Sequence, residues 1–215
     1  MDSNEVRREW AERTGEYSPE YYAYYGPDET SETIRAVLDR FVGQDATVLE
    51  LGCSSGRHLS HLHDNGYEDV AGIEVNEDAV DVMEEHYPDL AAEGTFYQDA
   101  IENVVGDFEN RAFDAVFSVE TLQHLHPDTE WVYEELVRIT NQLLVTAEIE
   151  KPRVDEEDDT PPRDGSLEGA EVNYVDDDVP LYYRNWNHVF TGLGLGERER
   201  FQDGRDTVRA FSRSE

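Results

Sequence analysis

Between Thr47 and Ile149 short apolar runs alternate with amphipathic ones, and this alternation constrains the fold more than any other property of the sequence. TVLEL (47–51), DVAGIE (69–74), TFYQ (95–98), FDAVFSV (113–119) and QLLVTAEI (142–149) read as strands: short, apolar and bounded by turn residues. Arg57 to Asn65 is helix-like and stopped by Gly66. Glu77 to His86 places Val80 and Met83 on one face, with Pro88 beyond its end, and Pro127 to Thr140 supplies a helix after the fourth strand. Strands that take turns with helices run parallel, joined by right-handed crossovers and covered on both faces. The expected architecture is therefore α/β, a doubly wound and mostly parallel sheet. Glu197–Gln202 and Thr207–Arg213, turning at Asp203-Gly204, read as a C-terminal antiparallel hairpin that brings the sheet to seven strands. Ligands on such sheets sit beyond the carboxyl ends of the strands, where strand order reverses.

At 215 residues one core is the default, since a domain of this size buries roughly 70% of its extended-chain surface. Residues 47–215 form the main domain in this reading, and residues 1–46 form N-terminal cap or lid helices. That segment concentrates aromatics: Trp10, Tyr17 and EYYAYYGP (20–27). Residues 150–178, with VDEEDDTPPRDG and VDDDVP, read as an acidic surface loop inserted in the main domain. Tyr182 to Leu193 then reads as an aromatic amphipathic helix ended by glycines.

Charge narrows the partners. Asp and Glu number 51 against 17 Lys and Arg, a formal net charge of −34, and Lys151 is the only lysine. A polyanion gains nothing from this surface, so no nucleic-acid partner is expected. At about 1 M salt the screening length falls to about 3 Å, which makes dispersed carboxylates tolerable, so the balance points to a halophilic source. The alternative is an acidic module for a basic partner. No apolar run is long enough for a membrane span, MDSNEVRREW lacks a signal peptide's apolar stretch, and Cys53 is the only cysteine. A cytoplasmic protein, monomeric or homodimeric, is the expectation.

The most informative segment is VLELGCSSGRHL (48–59), a strand that ends in an acid and opens through Gly52 and Gly56 into a helix. Such a turn lets a ligand approach the backbone, and the free N–H groups of the new helix face it. Gly52 is followed by Cys53, Ser54 and Ser55 before Gly56, which breaks the G-x-G-x-x-G spacing of dinucleotide loops, and no lysine follows as a phosphate-cradling loop requires. In VAGIEVNEDAV (70–80), Glu74 ends a strand some twenty residues further on, where a carboxylate can accept from two vicinal ribose hydroxyls or cap the next helix. Asp99 ends the third strand and is equally placed as a cap.

Together these segments resemble class I S-adenosylmethionine-dependent methyltransferases, whose first motif is an acid-x-G-x-G-x-G strand-to-helix turn, here Glu50-Leu51-Gly52-Cys53-Ser54-Ser55-Gly56 with Ser54 in place of the middle glycine. The resemblance spans about Val48 to Ile149 and implies a Rossmann-like fold with S-adenosyl-L-methionine as cofactor. It implies cofactor binding by Glu50, Gly52, Cys53, Ser54 and Gly56. Glu74 would hold the ribose, Val75 cover one face of the adenine, Asp99 accept from the adenine amino group, and Ala100 and Ile101 flank the base. Ser118 and Val119 would enter the site from FDAVFSVETLQHLHP (113–127). An N-terminal segment often caps the cofactor in such proteins, so Tyr21, Tyr22 and Tyr25 are candidate lid residues, although they equally suit packing over a sheet edge. Tyr182, Tyr183 and Trp186 are candidates from the other side.

Methyl transfer from a sulfonium is an in-line displacement, so the protein chiefly positions the nucleophile and excludes water. His124 and Glu120 are the candidate catalytic residues, because an imidazole of pKa about 6.5 suits proton transfer near neutrality. A histidine packing a helix start is the plainer reading of His124. No metal is expected: His61 and His63 are two residues apart on a helix and face differently from each other. The acceptor is expected to be a small molecule. Two alternatives are a methyltransferase-like regulatory or partner protein that binds the cofactor without catalysis, and a nicotinamide oxidoreductase, which the glycine spacing disfavours.

Overall fold

The computed structural model describes residues 1–150, 172–175 and 179–213. In chain order the helices are α1 (Ser3–Ala11), α2 (Pro19–Tyr25), α3 (Glu29–Phe41), α4 (Arg57–Asp64), α5 (Ala79–His86), α6 (Pro88–Glu93), α7 (Ile101–Val104), α8 (Trp131–Ile139) and α9 (Trp186–Gly192). The strands are β1 (Val48–Leu51), β2 (Val70–Glu74), β3 (Thr95–Gln98), β4 (Phe113–Val119), β5 (Thr140–Glu148), β6 (Val172–Val175), β7 (Val179–Tyr182), β8 (Leu195–Asp203) and β9 (Asp206–Arg213).

Seven strands form one sheet in the order β3-β2-β1-β4-β5-β9-β8. The first five are parallel, β9 runs antiparallel to β5, and β8 antiparallel to β9, so the expected Rossmann-like sheet and closing hairpin are both present. Strand order reverses between β1 and β4, and the loops after those strands part there to leave a crevice. The pleat sorts side chains by parity: Val48, Ala115 and Phe117 join Ile34, Leu38, Leu59 and Met83 on one face. Leu49, Leu51 and Val116 join Ile101, Val132, Leu136 and Phe190 on the other.

Local signals set the helix starts. Asp2 accepts from the N–H groups of Asn4 and Glu5 while the Glu5 side chain returns to the Asp2 N–H, and Ser18 caps α2 with Pro19 at its first position. Pro88 does not simply trail the preceding helix as its sequence position suggests. It opens α6, because its fixed φ and missing N–H suit a first turn.

Three expectations need correction. Tyr182 to Leu193 is not one helix: Val179–Tyr182 is a strand paired antiparallel with β6, and the helix begins only at Trp186, where Asn185 caps it. The β6–β7 pair falls partly within the expected acidic loop, where Val172, Tyr174 and Val175 supply strand-forming side chains; the rest of that loop, after Glu150, lies outside the described residues. Trp186 is no lid residue. It is fully buried under the sheet, stacked on Phe190 with ring centroids 6.1 Å apart and edge-on to Tyr133 at 5.5 Å. Among the described residues no helix is long and apolar enough to cross a membrane.

Candidate functional site

A cavity of about 970 Å³ lies over the carboxyl ends of β1, β2 and β4, at the reversal of strand order. Its floor is the turn after β1. The N–H groups of Gly52 and Cys53 both donate to the Ile73 carbonyl, at 2.8 and 3.0 Å, which ties that turn to β2. Gly52 has φ +67°, and a Cβ there would sit 2.4 Å from Thr121 Oγ1, so only glycine fits. Ser54 holds φ +50°, the left-handed conformation that a glycine adopts freely, so the backbone path survives the missing glycine at a cost of about 1–3 kcal/mol. Gly56 serves a different purpose from the one expected. It does not line the cavity; a Cβ there would meet Leu90 and Met83 at 2.8 and 2.9 Å, so it permits close packing of α4 on α5 and α6.

Three acids surround this floor. Glu74 accepts from the N–H of Ser54 (2.7 Å), Val75 (2.7 Å) and Asn76 (2.8 Å), and burial pushes its pKa up against those bonds. A carboxylate has about four acceptor sites, so capacity remains for a ligand hydroxyl. Glu50 is 1% exposed, lines the cavity and leaves Oε2 without a hydrogen-bond partner. Burial, reinforced by the like charge of Glu74, drives its pKa well above the carboxylate range. Asp99 also lines the cavity, and its Oδ1 accepts from the Ala100 N–H and Asn103 Nδ2, both at 2.7 Å. Val75 and Ala100 complete this side. Cys53 lines the cavity but is 2% exposed, and burial raises its thiol pKa well above normal, which keeps it protonated.

The loop after β4 forms the opposite wall with Val119, Glu120, Thr121, Gln123 and His124. Ser118 does not enter: its Oγ turns inward and donates to Glu148 Oε1 at 2.5 Å. Glu120, at φ +48°, accepts on Oε1 from Arg205 Nε and Nη2 at 3.0 and 2.6 Å. Arg205 thus ties this carboxylate to the turn between β8 and β9, and His124 lines the same wall of the cavity. His124 Nδ1 lies 3.1 Å from the Pro180 carbonyl. A carbonyl only accepts, so Nδ1 carries the proton and Nε2 keeps the lone pair. Burial lowers this imidazole's pKa to about 4, so it is neutral at physiological pH.

The roof is the N-terminal segment. Asn76 Nδ2 donates to the carbonyls of Trp10 (3.1 Å) and Arg13 (3.0 Å), binding that segment to the end of β2. Val6, Trp10, Tyr17 and Tyr22 line the cavity from above, and Tyr22 carries the Arg57 guanidinium 4.7 Å over its ring. Tyr21 and Tyr25 do not line it: they pack on each other at 4.9 Å, and Tyr25 is 62% exposed. Tyr182 is likewise turned away, against Arg184 and His126, while its neighbours Leu181 and Tyr183 face in. Of the two tyrosines expected here only Tyr183 lines the cavity, because an extended segment points successive residues to opposite sides. Sequence reading also missed Asn76, Gln123, Arg205 and Glu148; the acid ending β5 was the one available signal among them. Among the described residues no group of three His, Cys, Asp or Glu could hold a metal.

This geometry can be set beside known proteins. Residues 48–142 match the family model described as a methyltransferase domain. The matched stretch contains β1 to β4 and the turns that build the cavity floor. The PH0226 protein of Pyrococcus horikoshii shares the fold with a TM-score of 0.67 at 17% identity, over 94% of this chain and all of that one. The 1,6-didemethyltoxoflavin-N1-methyltransferase of Burkholderia thailandensis, solved with that compound and S-adenosylhomocysteine, has a TM-score of 0.65 at 11% identity, over 87% of this chain and 79% of that one. The [4+2]-cyclase SpnF has a TM-score of 0.61 at 13% identity, over 86% of this chain and 81% of that one. No curated protein matches the sequence significantly. The domain match and its fold indicate S-adenosylmethionine as the cofactor.

Proposed function

We propose that this protein transfers a methyl group from S-adenosylmethionine to a small-molecule acceptor held beneath the N-terminal helices. The observation that carries the reading is the buried, unpartnered Oε2 of Glu50, facing the same cavity as Glu74. One buried and one half-buried carboxyl group beside a turn of small residues suit a ligand that bears an ammonium and a sulfonium, because a cation there offsets the cost of burying negative charge.

In this reading Glu50, Gly52, Cys53 and Ser54 hold the amino-acid end of the cofactor. Glu74 takes the ribose hydroxyls, and Val75, Asp99 and Ala100 surround the base, with Val119 closing the side. The cofactor supplies an activated methyl group on sulfur. The chain's contribution is orientation and exclusion of water, worth on the order of 7–11 kcal/mol in well-oriented reactions. Beyond the cofactor, Trp10, His124, Leu181 and Tyr183 wall a largely apolar compartment suited to a small ring. His124 Nε2 is the group placed to take a proton from an acceptor O–H or N–H. Residues 1–46 act as the cap and residues 47–215 as the catalytic domain, in a cytoplasmic monomer or homodimer. The excess of carboxylates fits a halophilic source.

A thermal-shift series tests the cofactor. S-adenosylhomocysteine at about 100 times its dissociation constant should add about 2.7 kcal/mol of stability, while NAD should add none. The reverse result would replace the reading with an oxidoreductase. A second reading is a cofactor-binding regulatory or partner protein without its own methyl transfer; the same fold serves a protein named as a cyclase, so the fold does not by itself imply methyl transfer. Turnover of S-adenosylmethionine to S-adenosylhomocysteine in fractionated cell extract separates the two.

A further inference from the structure

Glu148, at the end of β5, is fully buried, does not line the cavity and has no place in the roles assigned above. Its carboxylate gathers four donors from one short stretch of chain. Oε1 accepts from Ser118 Oγ at 2.5 Å, from the Leu122 N–H at 3.0 Å and from the Thr121 N–H at 3.3 Å. Oε2 accepts from the Gln123 N–H at 3.2 Å. Three consecutive backbone N–H groups thus converge on one side chain, and the next residue on β5 continues the clasp, since the Ile149 N–H donates to Gln123 Oε1 at 2.9 Å.

The stretch so held is the cavity wall. Thr121, Gln123 and His124 all face the cavity, and Thr121 Oγ1, which donates to the Val119 carbonyl at 3.0 Å, occupies the space that a Cβ on Gly52 would fill. A displacement of the 121–123 backbone would therefore move both the His124 side of the site and the surface against which the glycine turn rests. Position 120 adds to the demand, because a non-glycine residue at φ +48° persists only where its surroundings over-determine it.

We propose that Glu148 is a positioning residue: it fixes the Thr121–His124 wall against the Gly52 turn and so sets affinity for the cofactor, without touching it. The proposal rests on the methyltransferase reading only through the choice of ligand. Glutamine at 148 keeps the shape and one acceptor oxygen but turns an NH2 toward backbone N–H groups, so at least one donor faces a donor.

The test is Glu148→Gln in the full chain, with binding of S-adenosylhomocysteine followed by calorimetry and amide exchange followed by mass spectrometry. The expected result is a dissociation constant about tenfold higher, with faster exchange confined to residues 119–124 and 52–54 and unchanged exchange in the cores of β4 and β5. A residue that merely stabilises the fold would lower the melting temperature and leave the affinity of the still-folded protein alone. Affinity within twofold of the parent, with protected amides at 121–123, would overturn the proposal. If Glu148→Gln gives no cooperative melt, Thr121→Ala carries the test, since it cuts the link to Gly52 while leaving Glu148 its backbone donors; the same tenfold loss is expected, and an unchanged affinity overturns the proposal. Failure of the parent protein to bind S-adenosylhomocysteine would instead sink the functional reading, and the exchange pattern of Glu148→Gln would still decide whether 148 governs the wall.

Discussion

The indole of Trp10 lies against the imidazole of His124, ring centroids 4.7 Å apart and planes inclined by 57°. One ring belongs to the first helix and the other to the turn after β4, so the contact closes the N-terminal segment over the carboxyl edge of the sheet. It also excludes water from a titratable group, whose pKa burial lowers to about 4. Removing the indole should readmit solvent. In Trp10→Ala the His124 resonances should titrate closer to the ordinary imidazole value of about 6.5, and the parent protein should show no His124 titration above pH 5. Proton NMR across pH 4 to 8 checks both.

Glu74 ties the Ser54 turn to the backbone after β2, accepting one bond from Ser54 and one each from Val75 and Asn76, and faces the cavity. Glu74→Ala removes an acceptor for the ligand and the anchor of the turn together. Hydrogen bonds to charged groups are worth about 1.5–3 kcal/mol, so the affinity for S-adenosylhomocysteine should fall roughly 10- to 150-fold. Calorimetry on the folded variant measures it.

Trp186 separates a core residue from a lid residue. Replacement by alanine should cost about 3–5 kcal/mol of stability, as large-to-small changes in a packed interior do, and leave cofactor affinity within twofold. A denaturant titration paired with calorimetry distinguishes this from the opposite pattern, weak binding with an intact fold, which a lid residue would show.

Asp206 opens β9, where burial, then the like charges of Glu120 and Glu148, raise its pKa to about 8. In the unfolded chain it titrates near 3.8. Between those values the folded state keeps a proton that the unfolded state has lost, so this group makes stability fall as pH rises through the window. Asp206→Asn cannot ionise. Its melting temperature relative to the parent should therefore climb from pH 4 to pH 8 and level off above that, as a scanning-fluorimetry series would show.

The formal charge of −34 predicts a strong salt response. Melting temperature should rise steeply with potassium chloride up to about 1 M, where the screening length reaches about 3 Å. Equal stability with and without molar salt would remove the halophilic assignment.

The parallel strands and the glycine turn were legible because their determinants are local: short runs of four to eight residues, and an acid two residues before Gly52 at a strand end. Features set by the partner across space were not. Whether Tyr182 or Tyr183 faces the cavity depends on a strand pairing with Val172–Val175, and no periodicity within YYRNWNH reveals it. Gly56 reads as part of a binding loop until Met83 and Leu90 are seen behind it. Glu120 looked available because Arg205, its partner, lies 85 residues away in sequence. The Glu148 clasp was invisible for the same reason: its donors are on another strand's loop, and only the register of β4 on β5 brings them together.

The Asn76 carboxamide ties the roof of the cavity to its floor. Asn76 follows the carboxylate at 74 by two residues, and its side chain grips the carbonyls of Trp10 and Arg13. The first helix cannot swing outward without surrendering both of those bonds, and the backbone at 74–76 cannot shift without dragging the helix along. A movement of either end of the cavity is thereby felt at the other through this carboxamide.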